Sequence, residues 1–206
     1  MAQYFVIHAE NPQARLIKHT VEILRDGGVI AYPTDSSYAF GCMLGNKEAQ
    51  DRIRQIRQVS DKQLFTLMCS DLSELANYAK VDNVQFRLLK ANTPGAYTFI
   101  LNATREVPKR LQHPKRSAVG IRVPNHEVVQ AILHALGEPM LSMTLQIAEQ
   151  EPMNVAWEIR DQLEHQLDLV IDSDIHHTGF TTVIDLTQDI PQLIRQGVAD
   201  ASPFGL

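Results

Sequence analysis

The segment Gly27-Gly28-Val29-Ile30-Ala31-Tyr32-Pro33-Thr34-Asp35-Ser36-Ser37-Tyr38-Ala39-Phe40-Gly41-Cys42 constrains the fold of this chain more than any other. Paired glycines suit the left-handed turn that ends a helix. The apolar run Val29 to Tyr32 then reads as a buried strand, and Pro33 stops it because proline cannot donate to a sheet ladder. A cluster of small hydroxyl side chains follows at the strand's end, the position where α/β sheets place ligands. Taken in isolation, Thr-Asp-Ser-Ser after proline also describes a turn whose hydroxyls bond their own backbone.

The 206 residues and 44% hydrophobic content fit one compact domain over residues 1–206, with its core at about 14–200. No run approaches the roughly 18 apolar residues of a membrane span. The first ten residues lack the basic and then apolar pattern of a secretory signal. Cys42 and Cys69 are the only cysteines, too few for a disulfide framework. A cytoplasmic protein with no membrane association, monomeric in solution, is therefore expected. A net charge of −5 argues against non-specific coating of nucleic acid, while allowing a local basic surface.

Helix and strand signals alternate, though not strictly. Pro12, capped by Asn11, opens a helix whose face is Ala14, Ile17, Val21 and Leu24. Ala49, Ile53 and Ile56 mark a second helix, and Asp71 with Glu74 a variant capping box. Val84 to Lys90 is a further helix. Val128, Ile132, Ala135 and Leu136 mark another that ends at Gly137, and one more lies near Trp157 to Leu163. Strands are expected at Phe65–Cys69, Tyr97–Leu101, Ala118–Val123, Met140–Thr144, Leu169–Ile171, Thr181–Leu186 and Leu193–Arg195. Asn102 to Ser117 reads as an exposed loop. The pattern describes an α/β domain with a mixed sheet.

Four further motifs follow in order: Pro94-Gly95-Ala96-Tyr97-Thr98, Gly120-Ile121-Arg122-Val123-Pro124, Thr181-Thr182-Val183-Ile184-Asp185 and Ile194-Arg195-Gln196-Gly197. With Pro33 to Tyr38 they resemble the YrdC/YciO family of threonylcarbamoyl-adenylate synthases, most closely its YciO branch. The resemblance implies a YrdC/RibB-like twisted mixed sheet with flanking helices and one large concave cavity. It implies a reaction of L-threonine, bicarbonate and ATP, with magnesium, giving threonylcarbamoyl-AMP and pyrophosphate for tRNA modification. Thr34, Ser36, Tyr38 and Arg122 would then bind the small acid. Arg57, Thr144, Thr182 and Arg195 would contact the nucleotide, with Arg57, Thr144 and Gln146 at the catalytic rim. Such a site needs cationic clamps and hydroxyl donors around several anions.

The chain departs from that family at two places. Active synthases carry Lys-x-Arg where this sequence has Arg57-Gln58-Val59, and Ser-x-Asn where it has Thr144-Leu145-Gln146. Arginine and lysine are not interchangeable at a phosphate. Losing one preorganised donor typically lowers a rate about a hundredfold to a thousandfold, so weak or altered synthesis is expected. Lys62 lies near enough in sequence to reach the same mouth. The alternative is a non-catalytic protein that binds tRNA or double-stranded RNA through Arg52, Arg54, Lys109, Arg110, Lys115 and Arg116. His176-His177 carries no metal-site spacing and no resident metal is expected. Cys42 and Cys69 fit small core residues better than nucleophiles.

Overall fold

In the computed structural model, which describes residues 1–174 and 177–206, the paired glycines close the first helix as a Schellman turn. Helix α1 (Ala14–Arg25) ends with Gly27 at φ 91°, Gly27 N–H on Leu24 O at 3.0 Å and Gly28 N–H on Ile23 O at 2.8 Å. Only Gly27 takes the left-handed conformation. The helix starts two residues after Pro12, and the expected Asn11 cap does not form. The residue before the helix, Gln13, instead accepts from His8 N–H at 3.0 Å. Ala14 is exposed, and Thr20 completes the buried face of Ile17, Val21 and Leu24.

The remaining elements follow as β1 (Gln3–Val6), β2 (Ile30–Tyr32), β3 (Ala39–Met43), α2 (Lys47–Arg57), β4 (Thr66–Met68), α3 (Leu72–Tyr78) and β5 (Ala79–Lys80). Then come α4 (Asn83–Asn92), β6 (Tyr97–Ala103), β7 (Ala118–Arg122), α5 (Glu127–Leu136), β8 (Met140–Thr144) and α6 (Ala156–Leu163). Strands β9 (Leu169–Asp172), β10 (Thr182–Asp185) and β11 (Gln192–Arg195) complete the chain. Sequence periodicity does not reveal β1, β3 or β5. Strand β3 is buried on both sides and carries no β-branched residue, so neither alternation nor composition marks it.

One mixed sheet runs β1-β9-β2-β3-β8-β4-β7-β6-β10-β11, with β5 pairing onto β6. Pairs β1/β9, β2/β9, β4/β7 and β6/β10 are parallel and the others antiparallel. The result is a single-domain α/β fold. Among the described residues no helix is long and apolar enough to cross a membrane.

Two apolar clusters cover the two faces. Ile17, Val21 and Leu24 of α1 and Val128, Ile132 and Leu136 of α5 pack on one face against Ile30, Tyr32, Met68, Met140, Leu169 and Ile171. Leu133, rather than the exposed Ala135, fills out the α5 stripe. Ile53 and Ile56 of α2, Leu75 of α3, Leu89 of α4 and Ile159 of α6 cover the opposite face. Asp71 caps α3 by accepting from Glu74 N–H at 2.8 Å, but the Glu74 carboxylate turns to Ser70 instead of closing the box. A complete capping box stands at α4, between Asp82 and Gln85.

The site follows from what α1 and α5 leave uncovered. Side chains alternate along a strand, so Thr66, Gly120, Ser142 and Thr144 share the face of Met68 and Met140. Thr98 and Arg122 join them, since their neighbours Phe99 and Ile121 lie in the opposite cluster. Among the described residues no helix lies in the apolar cluster over this part of the face, and apart from Arg122 the residues just named are small.

Candidate functional site

That open face is the floor of a cleft of about 370 Å³. Ser37, Thr66, Thr98, Ser142, Thr144 and Thr181 line it with hydroxyls, and Arg57, Arg122 and Arg195 line it with charge. No carboxylate stands among the lining residues. The volume lies within the roughly 300–1,000 Å³ of small-molecule sites. A wider cavity of about 640 Å³ lies beside α4 between Val84, Leu88, Leu186 and Pro191, without a comparable cluster of cations.

Each arginine is held differently. Arg122 ends β7 and pairs with Asp35, both side chains being 8% exposed. Asp35 also accepts from Asn125 N–H at 2.8 Å. Arg122 Nε is buried with no hydrogen-bond partner. Arg195 ends β11, donates to Thr181 O and Thr181 Oγ1 at 3.1 Å each, and lies 4.9 Å from the centre of the Phe180 ring. Burial, then the positive charge of Arg122, lowers the basicity of Arg195. Arg57 ends α2 and is bonded to Gln146, and burial lowers its basicity too. With Arg122 paired to Asp35, the charges of Arg57 and Arg195 are left without a carboxylate and favour an anionic occupant.

The hydroxyls are oriented as well. Tyr32 donates to Ser142 Oγ at 2.7 Å, leaving the Ser142 proton available to the cleft. Burial raises the Tyr32 phenol well above its ordinary value, so Tyr32 keeps its proton as a donor. Thr98 Oγ1 and Thr181 Oγ1 are 2.8 Å apart, linking Arg195 to the floor of the sheet.

Arg57, Thr144, Gln146, Arg122 and Arg195 are brought together in the cleft wall. Thr34, Ser36, Tyr38 and Thr182 lie outside it. Thr34 Oγ1 accepts from Ser36 N–H at 3.1 Å and Ser37 N–H at 3.3 Å, and donates to Ser37 O at 2.6 Å. The turn's own backbone thus uses this hydroxyl, and Ser36 Oγ lies 3.1 Å from it. The Tyr38 hydroxyl donates to Ile171 O at 2.9 Å. Thr182 shares the parity of Ile184, in the opposite cluster, so its hydroxyl meets Ala199 O at 2.5 Å and Gly197 N–H at 3.0 Å. Its neighbour Thr181 faces the cleft.

Val59 packs half-buried against the core, and Lys62 is exposed outside the cleft lining. Thr66, Thr98, Ser142, Thr181 and the anchoring Asp35 were not among the expected site residues. Ser142 and Thr144, two residues apart in an otherwise apolar strand, are the signal in β8, and Thr98 marks the same face of β6.

None of the six members of the expected RNA-binding set lines the cleft. Arg52 pairs with Asp168, and Arg116 with Asp185 at 2.8 Å. Arg54 lies 5.0 Å from the Phe65 ring centre and 3.4 Å from Asp51. Arg110 reaches Leu44 O at 3.4 Å. Lys109 is exposed in a 3-10 turn (Lys109–Leu111), and Lys115 is exposed after it. Strand β6 runs to Ala103, and Val107 and Leu111 are buried, so Asn102 to Ser117 is not wholly the exposed loop expected. His176 lies outside the described residues, and His177 is exposed. Among the described residues no group of three or more His, Cys, Asp or Glu could hold a metal. Cys42 and Cys69 are buried, and burial pushes the Cys42 thiol up to about 12.

The chain belongs to the Sua5–YciO–YrdC family, whose model, described as telomere recombination, matches residues 22–197. YciO of Escherichia coli K12 is 54% identical over 209 residues, covering 99% of this chain and 100% of that protein. The crystal structure of E. coli YciO superposes with a TM-score of 0.95 at 55% identity, over 99% of this chain and 100% of that one. A threonylcarbamoyl-AMP synthase of Vibrio vulnificus YJ016 is 29% identical over 185 residues, or 88% of this chain and 98% of the synthase. The structure of P. abyssi Sua5 complexed with L-threonine shares the fold, with a TM-score of 0.84 at 23% identity, covering 94% of this chain and 57% of that one.

Proposed function

We propose that the cleft binds a nucleotide together with a small amino acid, L-threonine first among them, and supports a weak or altered threonylcarbamoyl-adenylate synthesis. The observation that carries this reading is the convergence of three arginines and a row of hydroxyls on one cleft without a lining carboxylate. The relationship to threonylcarbamoyl-AMP synthase and to the threonine-bound Sua5 fold supports it.

The chemistry asks for such a surface. The threonine amine takes up the carbon of bicarbonate with loss of water. An oxygen of the resulting carbamate then attacks the α-phosphorus of ATP. The bond from that phosphorus to the bridging oxygen breaks, and pyrophosphate leaves with the electron pair. Arg122, held by Asp35, is placed for a carboxylate, and Arg195 for phosphate. Ser142, Thr144 and Thr181 supply neutral donors for charge that moves during the transfer. Thr34 and Ser36 act through the shape of the turn that presents Ser37, and Thr182 through the backbone that presents Thr181 and Arg195.

With no carboxylate lining the cleft, a magnesium ion would arrive on the nucleotide and be held by its phosphates and water, with only hydroxyl and amide oxygens of the cleft to reach it. Its part would be to neutralise phosphate charge.

Purified protein with threonine, bicarbonate and Mg·ATP should release pyrophosphate in a threonine-dependent way, and Arg122→Ala should abolish it. The assay is run with and without tRNA. No turnover, together with no calorimetric heat from ATP or threonine, would sink the reading. Salt-sensitive tRNA binding without turnover would move the protein to the RNA-binding class.

A further inference from the structure

Arg57 differs from the other two cleft arginines in what occupies its guanidinium. Its Nε donates to Gln146 backbone O at 3.0 Å and its Nη2 to Gln146 Oε1 at 2.9 Å. These two donors form one of the two edges of the guanidinium fork that a carboxylate or phosphate can take in a bidentate contact. The far side of the contact is fixed as well. Gln146 Nε2 donates to Gln150 O at 2.7 Å, and Ala148 N–H donates to Arg57 O at 3.0 Å. Ala148 adopts φ 50°, a conformation that alanine takes only when its surroundings impose it. The segment after β8 is thereby strapped to the end of α2 across the cleft rim.

The two residues also match each other chemically. Family resemblance places a lysine and an asparagine at these positions in active synthases. Lysine is a single point of charge and cannot give the paired contact that a guanidinium gives. Gln146, one methylene longer than asparagine, reaches the fork.

We propose that Gln146 is a built-in cap on Arg57, its backbone carbonyl and neutral side-chain amide together occupying one anion-binding edge of this guanidinium. The cleft then grips a phosphate group first through Arg195, while Arg57 contributes its positive field and only the donors that Gln146 leaves open. An amide cap satisfies donors without cancelling charge, which distinguishes it from a carboxylate. Gln146 is accordingly a positioning residue. The inference rests on the anion-binding reading above.

Inorganic pyrophosphate titrated calorimetrically into the full chain at fixed ionic strength tests it. Gln146→Ala should bind about tenfold tighter than wild type, since a freed charged donor becomes available to the anion. The gain should vanish in Gln146→Ala/Arg57→Ala. Gln146→Glu, which keeps the length and the acceptor, should bind about tenfold more weakly because it neutralises Arg57. Affinity in Gln146→Ala equal to or below wild type at unchanged Tm overturns the cap, as does a gain that survives without Arg57. If Gln146→Ala lowers Tm, Gln146→Glu decides, and unchanged affinity there overturns it. A wild type without turnover whose Gln146→Ala variant gains pyrophosphate through Arg57 sinks the synthase reading and keeps the cap. A wild type that turns over while both variants bind as it does sinks the cap alone.

Discussion

Acidification should destabilise this protein through one histidine before its carboxylates titrate. His126 immediately precedes α5 and is 7% exposed, with neither ring nitrogen hydrogen-bonded. Burial lowers its basicity from 6.5 to about 4, against the opposing pull of Asp35 and with a smaller lowering from His177. Between these values the unfolded chain binds a proton that the folded chain refuses, so stability falls as pH falls from 6.5 toward 4. At about pH 5 the unfolded state gains RT ln(1 + 10^1.5) and the folded state only RT ln(1 + 10^−1), a net loss of about 2 kcal/mol relative to about pH 7.5. The full loss, below the folded value, is about 3 kcal/mol. Urea denaturation at the two pH values, at constant ionic strength, measures the drop. His126→Leu keeps the buried volume and removes the proton site, so its drop should be smaller than wild type by about 2 kcal/mol. At the higher pH the variant should be no less stable, because the replaced nitrogens have no partners to lose. An equal acid-induced drop in both proteins would refute the assignment.

Asp35→Ala should cost about 3–5 kcal/mol in urea denaturation, since it leaves Arg122 buried without its counter-charge. A loss below about 1 kcal/mol would show that Arg122 reaches water on its own. Gly197→Ala places a Cβ 2.2 Å from Phe180 O and 2.3 Å from Thr181 C, so β11 must separate from that segment. We expect a loss of at least about 1–3 kcal/mol together with loss of ligand binding, and unchanged Tm would contradict the close approach. Gly120→Ala sets a methyl 3.4 Å from Thr98 Cγ2 and 3.6 Å from Thr66 Oγ1, ordinary contact distances. Stability should be kept within about 1 kcal/mol while anion affinity falls, and unaltered affinity would place the ligand away from this floor.

Much of the fold was legible because helix ends and strand alternation are written in neighbouring residues. Gly27 and Gly137 close their helices as expected, and Met140 to Thr144 forms the strand it describes. What escaped detection lacks a local pattern. Strand β3 is apolar on both faces, and Asn11, a good cap by type, sits too far upstream of α1 to serve. Five of the expected cleft residues do line it, and a one-residue difference in strand parity separates Thr182 from Thr181.

The segment Gly27 to Cys42 by itself determined a helix stop, a short strand and a hydroxyl-rich turn, because each depends on backbone preferences a few residues apart. Only the tertiary structure decided what the turn serves. Thr34 is consumed within it, while Asp35 reaches Arg122, 87 positions away. Arg57 and Gln146, 89 positions apart, likewise become one unit only when α2 and the segment after β8 meet. Periodicity within an element tells which side of a strand or helix a residue takes. Which side chains from distant elements then neutralise, cap or orient one another depends on how the sheet is ordered, and no local pattern carries that information.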